Sequence, residues 1–408
     1  MRRTRLVWAA ALLLVPASTA SAAPVLVLDH GRVHTENDPF LAPAGVAPAA
    51  SAAADPPPGP TPAPSALRAG AVRAKLDQLL ASGQIGQPTR DAKLAVWERA
   101  LTARRRLRGV LRAGQTNAIG TVGWLALRGR LTASRLNVAF MQLERNTAWW
   151  TRARRVPAPG ARVRIGPSRV VLQYVPGQAL QFHPLANWGR VQALFRHGYS
   201  GQALAMTRAL LALGSMRGPA LTWEYLFRFR RGMPPWTSGL SQGTALIALS
   251  AAYRRTHDGR YAAAIRQALP LYDLRAPLGV RVPSRWGAYY AEYSFAPRYR
   301  IINGFVQALN GLWDAWRSLG DAHAGQLFAA GDRDARRTLP RFDLGHWSRY
   351  SNRREISNLN YHVLLRDFLA GLCRRTRVAL YCAKAARFSY YLRRYGGPRR
   401  LPPGTRVV

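Results

Sequence analysis

A weak internal repeat in the second half of the chain restricts its fold more than any other feature. Four short polar segments, beginning at His197, Thr256, Leu319 and Cys373, interrupt otherwise apolar sequence. Their spacing of roughly 60 residues is typical of stacked helical hairpins. An apolar stretch precedes each segment and a more amphipathic stretch follows it. This contrast predicts inner helices that are buried all round and outer helices with one solvated face.

We therefore predict a mainly α fold in which residues 187–398 form an (α/α) toroid of about four helical hairpins. Strand-like insertions precede the second, third and fourth inner helices, so all inner helices should begin at the same end of the array. The polar residues at that end are Asn187, Gln242, Asn303, Asn358 and Tyr361. Because free backbone N–H groups at helix N-termini attract anions, we expect an anion-binding mouth there.

The first half of the chain has a different organisation. Residues 1–23 combine early arginines, an apolar run over Leu6–Val15 and small residues at a cleavage site, which predicts a signal peptide; a retained anchor is the alternative. Residues 24–66 are predicted to be an Ala/Pro-rich linker. Residues 67–160 have helical periodicity, and alternation over 161–186 predicts a small β unit. We expect an exported protein, secreted or in the cell envelope, that is not inserted in a membrane after cleavage.

The charge balance is strongly basic. The chain has 60 Lys and Arg against 19 Asp and Glu, a net charge of +41. Such a surface attracts acidic polymers, although a GC-rich genome that favours arginine codons explains the composition equally well. The basic residues are scattered and match no nucleic-acid-binding motif, so with export they favour an acidic polysaccharide over nucleic acid. The sequence leaves the oligomeric state open, a homodimer included.

Two cysteines, Cys373 and Cys382, lie nine positions apart near the C-terminus. In an oxidising compartment we expect them to form a disulfide that closes the turn between two helices. Two buried free thiols are the alternative. Neither His nor carboxylate residues have metal-ligand spacing, and no phosphate-binding glycine loop is present. We therefore predict neither a metal nor a cofactor.

Five motifs occur in a fixed order in the repeat region. They are Pro235-Trp236-Thr-Ser-Gly239-Leu-Ser-Gln242-Gly243, Tyr290-Ala-Glu292-Tyr293-Ser-Phe-Ala-Pro297, Asn303-Gly-Phe305, Leu339-Pro-Arg-Phe342-Asp343, and Tyr350 with Tyr361-His362. Their order resembles the C-terminal catalytic domain of the D-glucuronyl C5-epimerases of heparan sulfate and heparosan synthesis. The resemblance covers about Val171 to Tyr391. It departs from the family at Ser294, where the family has proline, and in a shorter segment between the last two tyrosines.

The resemblance implies inversion of C5 of D-glucuronic acid to L-iduronic acid in a polysaccharide. Proton transfer would fall to Tyr293, Tyr350 and Tyr361, and Glu292 would position them or act as a base. The residues expected to bind substrate are Arg353, as a bidentate carboxylate ligand, and His362, Asn303, Gln242 and Trp236. The chemistry removes a proton α to a carboxylate and returns one to the opposite face, so it needs two groups across the sugar ring. It also needs cations or N–H donors to hold the enolate-like charge.

Tyrosine is a weak base at its usual pKa of about 10, and neighbouring cations lower that pKa. We expect Arg349, Arg353 and Arg354 to do so for Tyr350. Each site residue also has a purely structural interpretation. A tyrosine or Trp236 can serve as core packing, and Glu292 can simply pair with an arginine.

Two other functions fit the sequence. A uronate lyase would begin with the same proton abstraction and then expel the C4 substituent, leaving an unsaturated sugar that absorbs in the ultraviolet. A non-catalytic protein could bind an envelope polyanion through its arginines, and its affinity would fall steeply with salt.

Overall fold

The computed structural model describes residues 22–41, 69–353, 355–397 and 406–407. The prediction of a mainly helical fold is confirmed, since this part of the chain contains twelve α-helices. They are α1 Ala69–Ala81, α2 Gln87–Arg106, α3 Gly109–Leu127, α4 Leu136–Ala148, α5 Pro184–Arg196, α6 Ser200–Leu211, α7 Gly239–Thr256, α8 Gly259–Ala268, α9 Ile302–Leu319, α10 Ala322–Thr338, α11 Leu359–Thr376 and α12 Ala379–Tyr395.

Short strands lie before and between the helices. They are β1 Ala23–Asp29, β2 Arg32–Asp38, β3 Arg162–Ile165, β4 Leu172–Val175, β5 Ala179–Phe182, β6 Ser215–Arg217, β7 Ala220–Thr222, β8 Arg281–Ser284, β9 Gly287–Tyr290, β10 Glu355–Ile356 and β11 Arg406–Val407. The first five form one sheet in the order β2-β1-β3-β4-β5. In this sheet only β1 and β3 are parallel among the described pairs. The others pair as β6-β7, β8-β9 and β10-β11.

The linker prediction was wrong for residues 24–41, which form the β1–β2 hairpin and the short segment after it. Val25 and Val27 of β1 are buried against Val171 and Ala186, since alternate residues of a strand face the same side. Pairing with β3, with Val27 opposite Arg164, adds this hairpin to the predicted β unit. The remaining predicted linker, residues 42–66, and the signal peptide up to residue 21 lie outside the described residues. Ala23, the last residue assigned to that signal peptide, begins β1.

The repeat region folds as consecutive helical hairpins, α5–α6, α7–α8, α9–α10 and α11–α12. The first helix of each hairpin packs on the first helix of the next, so α5, α7, α9 and α11 form an inner row. Every residue of α7 from Gly239 to Ala252 is buried. Every residue of α9 from Ile302 to Leu312 is buried as well, so the prediction of inner helices buried all round holds for α7 and α9. The helices at the two ends of the row, α5 and α11, are only partly buried.

Gly243, in the first motif, permits a close backbone contact between α7 and α9. A Cβ atom on Gly243 of α7 would lie 2.6 Å from the backbone oxygen of Gln307 in α9. A Cβ on Gly311 of α9 would lie 2.4 Å from the Gly243 oxygen. Both helices therefore approach backbone to backbone, which larger residues would prevent.

At the far end of the row, Cys373 of α11 and Cys382 of α12 form a disulfide with a Cα–Cα distance of 4.8 Å. It spans the turn between these helices, as the nine-residue spacing favoured. Within the described ranges, no helix is both long enough and apolar enough to span a bilayer.

Candidate active site

Backbone hydrogen bonds at the N-terminus of α7 join the motif that begins at Pro235 to the motif that begins at Tyr290. The Gly239 N–H donates to the Ala291 carbonyl at 2.9 Å, and the Ser294 N–H donates to the Thr237 carbonyl at 3.0 Å. The Ser294 hydroxyl also accepts from the Thr237 N–H at 3.2 Å. A proline at position 294 has no N–H, so serine adds a contact that the family's residue cannot make. Because Ala291 and Ser294 are both hydrogen-bonded in this way, the backbone of Glu292 and Tyr293, which lie between them, is held in place.

The Asn303-Gly-Phe305 motif makes room for the carboxylate of Glu292. A Cβ atom on Gly304 would lie 2.7 Å from Glu292 Oε2 and 2.8 Å from Glu292 Cβ. Gly304 is the third residue of α9, so its N–H is one of the free donors at the helix N-terminus. The motif therefore lets a buried carboxylate rest against the positive end of the helix dipole.

The three predicted tyrosines meet in one buried aromatic cluster. Its buried members are Tyr225, Phe227, Trp236, Tyr293, Tyr299, Ile301, Tyr350 and Tyr361. The rings of Tyr350 and Tyr361 are 4.7 Å apart between centroids. Tyr293 lies stacked at 6.4 Å from Tyr299 and edge-on at 5.9 Å from Trp236. We call Glu292, Tyr293, Tyr350 and Tyr361 the tyrosine site.

Glu292 is the titratable group of this site nearest to neutrality. Burial raises its pKa from 4.5 to about 7, although hydrogen bonding from Tyr293 and the Gly304 backbone and the charge of Arg230 all oppose the shift. Its Oε2 atom is buried without a hydrogen-bond partner. A carboxyl group of this kind exchanges a proton at neutral pH and can act as a general base.

The tyrosines themselves titrate in the opposite direction from the one predicted. Burial raises the pKa of both Tyr293 and Tyr350 well above 10, and the nearby Glu292 carboxylate and other tyrosines add to the shift. The expectation that arginines lower the pKa of Tyr350 was therefore wrong. Burial removes the water that would stabilise the charged phenolate, and this raises the tyrosine pKa by more than nearby cations lower it. Arg354, one of the three arginines proposed, lies outside the described residues.

Arg230, which sequence reasoning missed, carries the positive charge that acts on the site. Its guanidinium carbon lies 5.5 Å from the centroid of the Tyr299 ring and 5.6 Å from that of Phe229. Its charge acts on Tyr293, Tyr299 and Tyr350. Arg353, predicted to bind substrate, lies 4.7 Å from the same Tyr299 ring. Two guanidinium groups from different loops therefore approach one tyrosine that stacks on Tyr293.

Arg230 lies in a tight turn that its neighbours hold in place. Phe229 and Gly232 exchange backbone hydrogen bonds, and Arg230 has a φ of 50°. Gly232 packs flat against Phe295, whose ring would lie 2.3 Å from a Cβ at that position. A turn residue carries no periodicity in the sequence, which is why the pattern of apolar residues could not indicate it.

Asn303 lies beside the tyrosine site. Its side-chain amide donates to the backbone oxygen of Tyr361 at 3.3 Å. Its Oδ1 atom is buried without a partner, like Glu292 Oε2. Buried polar atoms are normally hydrogen-bonded, so these two oxygens are candidate positions for substrate hydroxyl groups.

Three other predicted substrate ligands are occupied elsewhere in the protein. Gln242 donates to the Trp223 backbone oxygen at 2.9 Å. Trp236 stacks at 4.0 Å on Tyr225 inside the aromatic cluster, where it serves as packing. His362 uses both ring nitrogens within the protein, at 2.7 Å from the Ser348 hydroxyl and 3.1 Å from a backbone oxygen. Burial lowers the pKa of His362 to about 4, so it is neutral.

The polar mouth predicted at the inner helix N-termini also has a structural use. Asn187 bonds to both backbone groups of Val171, and Asn358 caps α11 by accepting from the Tyr361 N–H at 2.9 Å. These amides hold loops against helices. In the described part of the chain, no group of three His, Cys, Asp or Glu residues is arranged to hold a metal ion.

The tyrosine site is closed to solvent. Glu292 is 3% exposed, and Tyr293, Tyr350 and Tyr361 are equally buried. Arg230 and Phe295 are partly exposed and Arg353 is exposed, so these residues lie between the site and solvent.

Comparison with known proteins connects this geometry to a family. Residues 217–389 match the family described as the D-glucuronyl C5-epimerase C-terminus, so the resemblance predicted from motif order is confirmed for that region. The D-glucuronyl C5-epimerase of Caenorhabditis elegans is 26% identical over 162 residues, which cover 34% of this chain and 26% of that protein. An uncharacterized protein of Methanocaldococcus jannaschii is 27% identical over 171 residues, covering 40% and 54%. The chain thus spans only part of either relative.

Proposed function

We propose that this protein is an isomerase that inverts C5 of D-glucuronic acid residues in an acidic polysaccharide. The observation that carries the proposal is the convergence of Tyr293, Tyr350 and Tyr361 in one buried cluster, with the buried Glu292 hydrogen-bonded to Tyr293, within the region that matches the epimerase family. The family match favours an epimerase activity in general. The polymer, the product and the proton-transfer roles are our inference.

Proton abstraction would involve Tyr293 and Glu292 together. The Tyr293 oxygen takes the C5 proton while its own proton passes to Glu292, whose pKa near 7 makes it a competent acceptor at neutral pH. The C5–H bond breaks, and its electron pair moves into the carboxylate to form an enediolate. Glu292 becomes protonated, so this step leaves no isolated phenolate in the buried site.

Proton return would fall to Tyr350 and Tyr361 on the opposite face of the ring. Burial keeps Tyr350 protonated at neutral pH, as an acid must be. The enediolate electron pair forms the new C5–H bond with that proton, which leaves Tyr350 as a phenolate. Tyr350 then gains a proton and Glu292 loses one by exchange with solvent, so both groups return to their starting states. The pKa of Glu292 is near 7 whereas that of Tyr350 is well above 10, and this difference assigns the base role to Glu292 and the acid role to Tyr350.

Arg230 and Arg353 would hold the substrate carboxylate. A guanidinium binds a carboxylate through two parallel hydrogen bonds, and the same contacts strengthen when the enediolate forms. Both arginines already lie at the Tyr299 ring, between the site and solvent. Asn303 Oδ1 would accept from a sugar hydroxyl.

We also infer that the inner helices close into an (α/α) toroid. Burial lowers the pKa of Arg196 in α5, and the Asp367 carboxylate of α11 opposes that shift. The Arg196 and Asp367 side chains, on the first and last inner helices, are therefore near each other, which supports a ring over an open row. The disulfide between Cys373 and Cys382 supports export to an oxidising compartment, where a polymer substrate would be met.

Solvent exchange tests the proposal. The protein is incubated with heparosan in D₂O, and deuterium at C5 is followed by NMR. We expect exchange by the wild-type protein and by Tyr390→Phe, an exposed tyrosine of α12, and at least about a hundredfold slower exchange by Tyr293→Phe. Tyr350→Phe should instead slow formation of the inverted residue, which the same NMR spectra detect, because the acid on the opposite face is lost.

Two results would contradict the proposal. Shortened chains that absorb in the ultraviolet would identify a lyase. A folded wild-type protein that exchanges no C5 proton on any uronate polymer would favour the polyanion-binding alternative.

A further inference from the structure

An open cleft of about 670 Å³ lies on the N-terminal helices, outside the region that matches the epimerase family. The second half of α2 forms one side, and the π-helical turn at residues 149–153, which continues α4, forms the other with Arg154. The lining residues are Ala95, Glu98, Arg99, Thr102, Ala103, Arg106, Leu107, Thr151 and Arg154.

Buried tryptophans fix the wall that carries Arg154. Trp149 and Trp150 are fully buried, and a Cβ atom on Gly114 of α3 would lie 2.6 Å from the Trp150 ring. The Trp149 indole N–H donates to the Arg155 backbone oxygen at 2.8 Å. The π-helical turn, a feature common at functional sites, ends with Arg154 at a φ of 50°. Arg154 is thus held at the cleft by the core.

The cleft is basic. Residues 69–160 contain seventeen Lys and Arg but four Asp and Glu. Glu98, the acidic residue of the cleft lining, is paired with Arg73. Arg99 lies 3.8 Å from Glu144, whereas Arg106 and Arg154 are exposed and form no ion pair with any residue that the structure describes. Their charge is therefore available to an anion.

The uncharged part of the cleft lining suits a sugar chain. It includes the small side chains of Ala95 and Ala103, and Thr102 and Thr151 supply hydroxyl groups. The Thr151 hydroxyl donates to the Thr147 backbone oxygen at 2.7 Å, which leaves its oxygen free to accept from a ligand hydroxyl. Aromatic side chains that stack on bases in single-stranded nucleic-acid sites are missing from this lining.

We propose that this cleft binds a segment of a linear uronate polysaccharide, with Arg106 and Arg154 on its carboxylates and the threonines on its hydroxyl groups. The identity of the polymer rests on the proposed function, since the cleft would hold the same chain that the tyrosine site modifies. The N-terminal helices would then keep a long substrate attached between reactions at successive residues.

Binding of fluorescently labelled heparosan, measured by anisotropy over a series of NaCl concentrations, tests the proposal. We expect the Arg106→Ala/Arg154→Ala double variant to bind roughly tenfold more weakly than wild type, with a shallower salt dependence, because two charged contacts are lost. Arg374→Ala/Arg393→Ala, two exposed arginines of α11 and α12, removes the same net charge and should bind like wild type. Circular dichroism and thermal unfolding establish that both variants fold.

The outcomes separate this proposal from the proposed function. Equal weakening in both double variants would show diffuse charge attraction and overturn the cleft. Wild-type binding to anionic vesicles or single-stranded DNA, but not to heparosan, would overturn the choice of ligand. If the wild-type protein exchanges the C5 proton and Arg106→Ala/Arg154→Ala binds heparosan as tightly as wild type, the cleft proposal is wrong and the proposed function still holds. If the double variant binds heparosan more weakly but the wild-type protein exchanges no C5 proton, the cleft proposal holds and the proposed function is wrong.

Discussion

Glu224 and Glu292 are both buried, yet their surroundings differ completely. Glu224, just after β7, is 1% exposed and is held by Arg135 at 2.6 and 3.0 Å and by Arg217 at 2.8 Å. Glu292 is 3% exposed and has an oxygen with no partner and a pKa raised to about 7. Burial is the same, but the pairing is not.

Pairing with cations, more than burial, distinguishes the surroundings of these two carboxylates. Arg135 precedes α4 and Arg217 lies in β6, so Glu224 ties the N-terminal helices to the repeat region through fixed charges. Both carboxylate oxygens of Glu224 accept hydrogen bonds from guanidinium groups. Glu292 is desolvated without such partners, and its carboxyl group therefore titrates near neutrality.

The largest effect should come from breaking the paired carboxylate. We expect Glu224→Gln to lower the free energy of unfolding by about 3–5 kcal/mol, because it leaves the buried Arg135 and the partly buried Arg217 without a counter-charge. Urea unfolding measures the change. Glu144→Gln, with a side chain that is 62% exposed, is the control and should change stability little. A loss below 1 kcal/mol for Glu224→Gln would mean that the ion pairs are replaceable.

Removing the unpaired carboxylate should instead affect the reaction. We expect Glu292→Gln to slow C5 exchange roughly a thousandfold, about 4 kcal/mol in activation free energy, because the proton acceptor for Tyr293 is lost. The variant should keep its fold, as judged by circular dichroism. Exchange within threefold of wild type would exclude Glu292 as the acceptor.

The pH dependence of stability sharpens the same contrast. The pKa of Glu292 rises from 4.5 in the unfolded chain to about 7 on folding, so its contribution to stability is complete below pH 4.5. It is lost as pH rises to 7, by up to about 3 kcal/mol. Glu292→Gln lacks this loss, so its stability relative to wild type should increase between pH 5 and pH 8 in urea unfolding. A constant difference would contradict the raised pKa.

The smallest effect concerns the cation beside the site. We expect Arg230→Lys to slow C5 exchange about tenfold with a raised KM, since lysine keeps the charge but loses the bidentate carboxylate contact. Arg230→Met should be slower still and should shift the exchange profile to higher pH, because Arg230 holds the pKa of Glu292 down. Arg231→Lys, the exposed neighbour, provides the matched control. An unchanged KM and pH profile in both Arg230 variants would assign Arg230 to packing.

By itself, the sequence determined the helical hairpins and the residues of the tyrosine site. Periodicity and turn residues act over one or two helices, so the inner helices and the turn closed by Cys373 and Cys382 could be read locally. Motif order then identified Glu292, Tyr293, Tyr350 and Tyr361, which the structure brings together although they are up to 69 positions apart.

Only the tertiary structure decided how these residues behave. Arg230 and Tyr299 join the site from loops, where no periodicity reports the position of a side chain. The raised pKa values of Tyr293 and Tyr350 follow from long-range packing that excludes water, which outweighs charges adjacent in sequence. The hairpin of β1 and β2 likewise depends on β3, more than 100 residues away, because a strand is stabilised by its partner and not by its own composition.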